Sequence, residues 1–136
     1  MCKSSMFKNS LFSWVLHVGD VIPVNREKND IEAMKRSIKA LKNGEILGIF
    51  PEGTRKGMEK NVDAKNGAAF MALRTKTKVI PVGIQGTFKP FTKVYLNYGE
   101  PLDFSEYYGK EKDKDVLNKV TKQIMDNIIM LTNEKK

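Results

Sequence analysis

The period at which apolar side chains recur changes several times along the chain, and each change marks an element. From Asn9 to Val18 the run Leu11-Phe12-Ser13-Trp14-Val15-Leu16 is apolar on nearly every side, which predicts a short helix stopped by Gly19-Asp20. Val21 to Val24 reads as a short strand. Asn29 or Asp30 then caps a helix in which Ile31, Met34, Ile38 and Leu41 recur at spacings of three and four, with Gly44 placed for a left-handed C-terminal residue. Glu45 to Phe50 is an apolar run of strand length, broken at Pro51, and a loop rich in Lys, Gly and Asn continues to about Asp63.

After that loop, Gly67 to Arg74 carries Ala68, Ala69, Phe70, Met71, Ala72 and Leu73, good helix formers behind a flexible start. Lys78 to Ile84 reads as a buried strand in which Pro81 demands a bulge or an edge position, and Lys93 to Tyr98 alternates as a second strand. Val116, Val120, Ile124, Ile128 and Leu131 lay one apolar stripe along a C-terminal helix ringed by lysines. That stripe is most simply core-facing, the alternative being a basic helix lying on a membrane surface. Strand, helix, strand, helix, strand is the order of an α/β domain with a mixed, partly parallel sheet flanked by helices.

Length and charge narrow the reading. The 136 residues suit one domain spanning 1–136, and 40% hydrophobic with 29% charged residues is the composition of a folded globular chain. A net charge of +8 favours anionic partners: phosphorylated metabolites, anionic lipid surfaces or nucleic acid. Nucleic acid lacks any recognisable recognition module here and is not an expected partner. Cys2 is the single cysteine and His17 the single histidine, so neither an internal disulfide nor a clustered metal site is available, and no cofactor is expected. No apolar stretch approaches the roughly 18–20 residues that span a bilayer, so contact with a membrane is expected at its surface.

The candidate chemistry sits where the run Ile46-Leu47-Gly48-Ile49-Phe50 ends. Pro51 is followed by a carboxylate, a glycine, a hydroxyl and a guanidinium: Glu52, Gly53, Thr54 and Arg55. Gly53 permits close backbone approach, Thr54 offers a hydroxyl, and Arg55 a planar fork suited to phosphate or carboxylate. Glu52 orients that arginine or accepts from a substrate hydroxyl. The residues alone also suit an ordinary surface turn.

Phe50-Pro51-Glu52-Gly53-Thr54-Arg55, with its lead-in Asn43-Gly44-Glu45-Ile46-Leu47-Gly48-Ile49, resembles the third sequence block of the lysophospholipid acyltransferase family, typified by bacterial 1-acyl-sn-glycerol-3-phosphate acyltransferases. Gly19-Asp20-Val21-Ile22-Pro23-Val24-Asn25-Arg26 resembles the second block, with Asn25 where the family has an acidic residue. Lys65-Asn66-Gly67-Ala68-Ala69 resembles the Lys-x-Gly helix start, and Val79-Ile80-Pro81-Val82-Gly83-Ile84 the fourth block. The resemblance runs from about Phe7 to Phe104. It implies a glycerol-phosphate acyltransferase-like fold and acyl transfer from acyl-CoA or acyl carrier protein to the free hydroxyl of a lysophospholipid, most often lysophosphatidic acid. It also implies that Arg26, Glu52, Gly53, Thr54 and Arg55 hold the acceptor's glycerol phosphate, with Lys65 extending the positive site. The single cysteine fits a reducing, cytoplasmic setting, and the expected location is cytoplasmic, peripheral at the inner face of the membrane.

The family's first block, His-x-x-x-x-Asp, supplies the general base and its orienting carboxylate. Five residues beyond His17 stands Ile22, and Asp20 is only three away, so no catalytic residue is assigned. Met1 to Asn9 resembles the family segment that follows the catalytic block, so the chain is expected to begin inside the domain and to be inactive alone. The alternative function is a non-catalytic basic module that binds anionic membrane surfaces or phosphate ligands.

Overall fold

A computed structural model describes residues 2–3, 22–24, 31–51, 66–86 and 92–133. They fall into two compact units, residues 1–49 and 50–136. In the first, β1 (Cys2–Lys3) pairs in parallel with β2 (Pro23–Val24), Cys2 opposite Pro23 and Lys3 opposite Val24. The expected strand at Val21–Val24 is therefore present at its C-terminal end. Its partner carries no alternation signal, being two residues long.

Helix α1 (Ile31–Lys42) fills the span its spacing predicts. Gly44 is left-handed at φ 84°, and the Glu45 N–H reaches back 3.1 Å to the Ala40 carbonyl, closing a Schellman-type end. The buried face is not the expected one. Ala33 and Ser37 are buried whereas Ile31 is 65% exposed, so the contact is made by the small residues and the larger apolar side chains flank it. Ser37 Oγ donates to the Ala33 carbonyl at 2.7 Å, which lets a hydroxyl sit at zero exposure.

Glu45 to Phe50 does not form the expected strand. Ile46 is fully exposed and Phe50 largely so. An apolar run becomes a strand only by pairing, and its composition alone does not supply the pair.

The second unit is built on α2 (Gly67–Thr75), β3 (Val82–Gly86), β4 (Val94–Tyr98) and α3 (Lys114–Asn133). Ala69 and Leu73 of α2 pack with Phe104 and with Val120 and Ile124 of α3 to form the core. The α3 stripe thus faces inward as expected, with Val116 and Ile128 packed at its margins and Leu131 buried at its end. Asp113 caps α3, its Oδ1 accepting from the Asp115 and Val116 amides at 2.9 and 3.3 Å. Lys76, left-handed at φ 57°, ends α2, and the Thr77 amide bonds the Ala72 carbonyl.

Strands β3 and β4 are antiparallel, with Val82 opposite Tyr98 and Gly86 opposite Val94. Beyond the hairpin, Val79 pairs with Leu102. Two residues on one side, Ile80 and Pro81, therefore face three on the other, Gly99 to Pro101. The extra residue is on the 99–101 side; opposite it the Gly99 amide donates to the Pro81 carbonyl at 2.9 Å, and Pro81, having no N–H, returns no bond.

The last turn of α3 rests on the backbone of this hairpin. A Cβ on Gly83 would overlap the Leu131–Thr132 peptide. Asn97 Nδ2 donates to the Leu131 carbonyl at 2.9 Å and Gln85 Nε2 to that of Thr132 at 2.6 Å, satisfying carbonyls that a helix end leaves without partners. The alternation of β4 is thereby reversed from simple expectation: Asn97 is buried under the helix, while Val94, Leu96 and Tyr98 are exposed.

Candidate functional site

Arg26, Glu52, Gly53, Thr54, Arg55 and Lys65 lie outside the described residues, as do His17, Asp20 and the expected helix from Asn9 to Val18. The structure describes residues on either side of these positions. In the first unit, Arg26 follows β2 by two residues. β2 is a parallel strand, and the chain leaving the carboxyl end of such a strand is where α/β folds present ligand-binding groups.

In the second unit the stretch 52–65 is bracketed by Pro51 and Asn66. Phe50 is 69% exposed and Pro51 stands in a turn, the last described residue before Glu52. The other bracket is different. The Asn66 carbonyl accepts the first bond of α2, from the Phe70 amide at 2.9 Å, but its side chain makes no capping bond to its own helix. An asparagine there ordinarily accepts from the first turn, an interaction worth about 1 kcal/mol.

Instead the amide is used across the fold. Asn66 Nδ2 donates to Asn118 Oδ1 at 2.8 Å, and Asn66 Oδ1 accepts from Thr121 Oγ1 at 2.8 Å. Asn118 and Thr121 stand three residues apart on α3, hence on one face, and Thr121 is buried. Their neighbour Val120 packs against Ala69 and Leu73 in the core. The residue joined by one peptide bond to Lys65 is therefore fixed to the longest helix in the described structure. Sequence reading missed Asn66, Asn118 and Thr121; the available signal was a polar pair interrupting the margin of the α3 stripe.

The charged groups that the structure does describe cluster elsewhere. Arg74, eight residues along α2 from Asn66 and so about 12 Å away along the axis, holds Glu111 at 2.8 Å. Hydrogen bonds from its own backbone amide and from Arg74 keep the Glu111 carboxyl below the usual glutamate range, although its Oε2 is buried with no partner. Lys119 Nζ lies 5.1 Å from the centre of the Tyr107 ring, and its hydrogen bond to Tyr107 raises its pKa. These pairs fasten the 105–113 segment to α2 and α3. Among the described residues no three His, Cys, Asp or Glu side chains gather, and no helix is long and apolar enough to cross a membrane.

Residues 1–85 match the family model described as Acyltransferase. The chain is 37% identical to the 1-acyl-sn-glycerol-3-phosphate acyltransferase of Bacillus subtilis, over 82% of its own length and 59% of that protein. It is 30% identical to the Streptococcus pneumoniae protein of the same name, over its whole length and 52% of the relative. Its fold is similar to the crystal structure of the 1-acyl-sn-glycerophosphate (LPA) acyltransferase PlsC from Thermotoga maritima, with a TM-score of 0.64 and 25% identity over 99% of this chain and 57% of the other. The chain thus spans between half and three fifths of the length of each of these three proteins.

Proposed function

This chain belongs to the acyltransferase family, and on that premise we propose that it forms the acceptor-phosphate part of a 1-acyl-sn-glycerol-3-phosphate acyltransferase of phospholipid synthesis. The observation that carries the reading is the unbroken Phe50-Pro51-Glu52-Gly53-Thr54-Arg55 inside a family match that runs across both compact units. The acceptor is a lysophospholipid with a free glycerol hydroxyl. The donor is acyl-CoA or acyl carrier protein, and the protein works as one domain at the inner surface of the membrane.

Arg26 and Arg55 neutralise the acceptor phosphate, each through a planar fork that donates to two phosphate oxygens. Gly53 admits the phosphate close to the backbone, Thr54 donates its hydroxyl, and Glu52 accepts from the glycerol or orients Arg55. Lys65 adds positive charge from the far end of the same loop. Anchoring the phosphate fixes the free hydroxyl beside the thioester carbonyl, and that proximity removes much of the barrier. The acyl–oxygen bond forms as the carbon–sulfur bond breaks, and the hydroxyl proton passes to a base. His17, with Ile22 five positions on, does not form the His-x-x-x-x-Asp pair, so these 136 residues bind the acceptor without taking its proton.

Calorimetric titration with sn-glycerol 3-phosphate tests the binding half. Arg55→Ala should weaken it about tenfold or more, the loss of a charge-assisted contact; unchanged affinity refutes the phosphate role. Turnover of acyl-CoA with lysophosphatidic acid by the 136 residues alone would refute the absence of a base.

A further inference from the structure

Helix α1 carries an outward face that none of the roles above uses. At 3.6 residues per turn, Ile31, Lys35, Lys39 and Lys42 fall within about 80° of one another, and Ala33 and Ser37, the buried residues of the helix, lie on the opposite side. The three lysines are exposed and stand along about 10 Å of the axis. None has an ion-pair partner among the described residues. Glu32 is taken by Arg36 at 3.9 Å, and Glu45 accepts from the Asn43 side chain at 3.3 Å. On α3, by contrast, Lys122 pairs with Asp126 and Lys119 lies over Tyr107. Like charges at spacings of three and four weaken an isolated helix, so the stripe serves no folding purpose. At its head Ile31 is 65% exposed.

We propose that this face of α1 is a docking surface for an anionic lipid bilayer, with Lys35, Lys39 and Lys42 meeting headgroup phosphates and Ile31 entering the interface beside them. The choice of a lipid rests on the reading above, in which the acceptor is a lysophospholipid; the choice of this face rests on the helix itself. Charge complementarity supports it. The span of the three lysines is close to the Debye length of about 8–10 Å at moderate salt, so they act jointly on one surface, and each lysine held near an anionic leaflet adds to binding. Peripheral binding strength combines that attraction with the apolar area that enters the interface, and this face offers both. The phosphates of a nucleic acid, or the carboxylates of an acidic protein, give Ile31 nothing to enter.

The test is co-sedimentation of the 136-residue chain with vesicles of phosphatidylcholine, alone or mixed in equal parts with phosphatidylglycerol, with thermal unfolding recorded for each variant. The parent should bind the mixed vesicles, leave them as salt is raised, and ignore phosphatidylcholine alone. Lys35→Gln, Lys39→Gln and Lys42→Gln should each weaken binding about fivefold, and the three together about a hundredfold, with no fall in melting temperature. The three corresponding Lys→Arg changes keep the charge and should bind as the parent does. Lys110→Gln, Lys112→Gln and Lys114→Gln together remove the same charge from another exposed cluster and should cost less than about threefold. Equal losses from the two clusters would mean that net charge alone is read, and would overturn the proposal. Ile31→Gln should weaken binding about tenfold. Binding unchanged by Ile31→Gln would show that the stripe reads charge without lipid, as it would on an acidic protein, and overturns the lipid assignment. So does equal binding to phosphatidylcholine alone, or none to the mixture. Titration with sn-glycerol 3-phosphate keeps the acceptor site apart: unchanged affinity there in Arg55→Ala overturns the site reading, while the vesicle arms decide the stripe independently.

Discussion

Arg74 Nη1 and Glu111 Oε1 are 2.8 Å apart, joining the last turn of α2 to the segment before α3, and the second carboxylate oxygen of Glu111 is buried without a partner. The carboxylate is held ionised by its backbone amide and the guanidinium. A depressed carboxyl pKa contributes stability at pH values above the unfolded-state value and loses it as pH falls through the folded one. Urea midpoints should therefore be flat above the ordinary glutamate pKa of 4.5 and decline below it. Glu111→Gln should lower the plateau and flatten part of that decline; an identical acid profile in the variant would contradict the assignment.

Gly83 is the point where α3 touches the hairpin backbone. Gly83→Ala forces the Leu131–Thr132 peptide to move and should cost about 1–3 kcal/mol, the range for overpacking a filled site. Denaturant unfolding reads it directly, and a neutral result would mean that the helix end sits farther off.

Phe104 is buried between α2 and α3. Phe104→Ala should destabilise the second unit by about 3–5 kcal/mol. Near-ultraviolet circular dichroism during unfolding distinguishes this from a surface effect, and a loss below 1 kcal/mol would remove Phe104 from the core.

Asp113 caps α3 through two amides. Asp113→Ala should cost about 1 kcal/mol and Asp113→Asn less than half of that. Equal losses in the two variants would show that charge, and not the cap, was responsible.

Arg26→Lys keeps the charge and removes the fork. Affinity for sn-glycerol 3-phosphate should fall about fivefold, since a point charge replaces a bidentate contact. Binding as tight as the parent's would mean that Arg26 acts only through long-range charge.

How much of this was legible differs from element to element, and the reasons are physical. The α3 stripe was readable because Val120, Ile124 and Leu131 recur at helical spacing and are in fact buried. The end of α1 was readable because a left-handed residue there calls for glycine, and Gly44 is one. The rotation of α1 was not, because Ala33 and Ser37 are buried through small size, which hydrophobicity does not report. The face of β4 was hidden for a similar reason: Asn97 is buried to bond a helix carbonyl some thirty residues later, a partner that no local window contains. The run from Glu45 to Phe50 looked like a strand from composition, yet pairing is a property of two segments. For the candidate site, the motif residues were legible one by one, and the clamp on Asn66 was not, because its partners lie on another helix.

The bond between Asn66 and Thr121 spans 55 positions of sequence, and this separation sets an order of events during synthesis. The motif at Phe50 to Arg55 leaves the ribosome long before α3 does. At roughly 5–20 residues per second, the interval between Asn66 and Thr121 is about 3–11 s. Throughout it, Asn66 stands on a nascent chain whose partners on α3 have not yet been made. The Asn66 side chain finds its two partners only when the last part of the chain has been made.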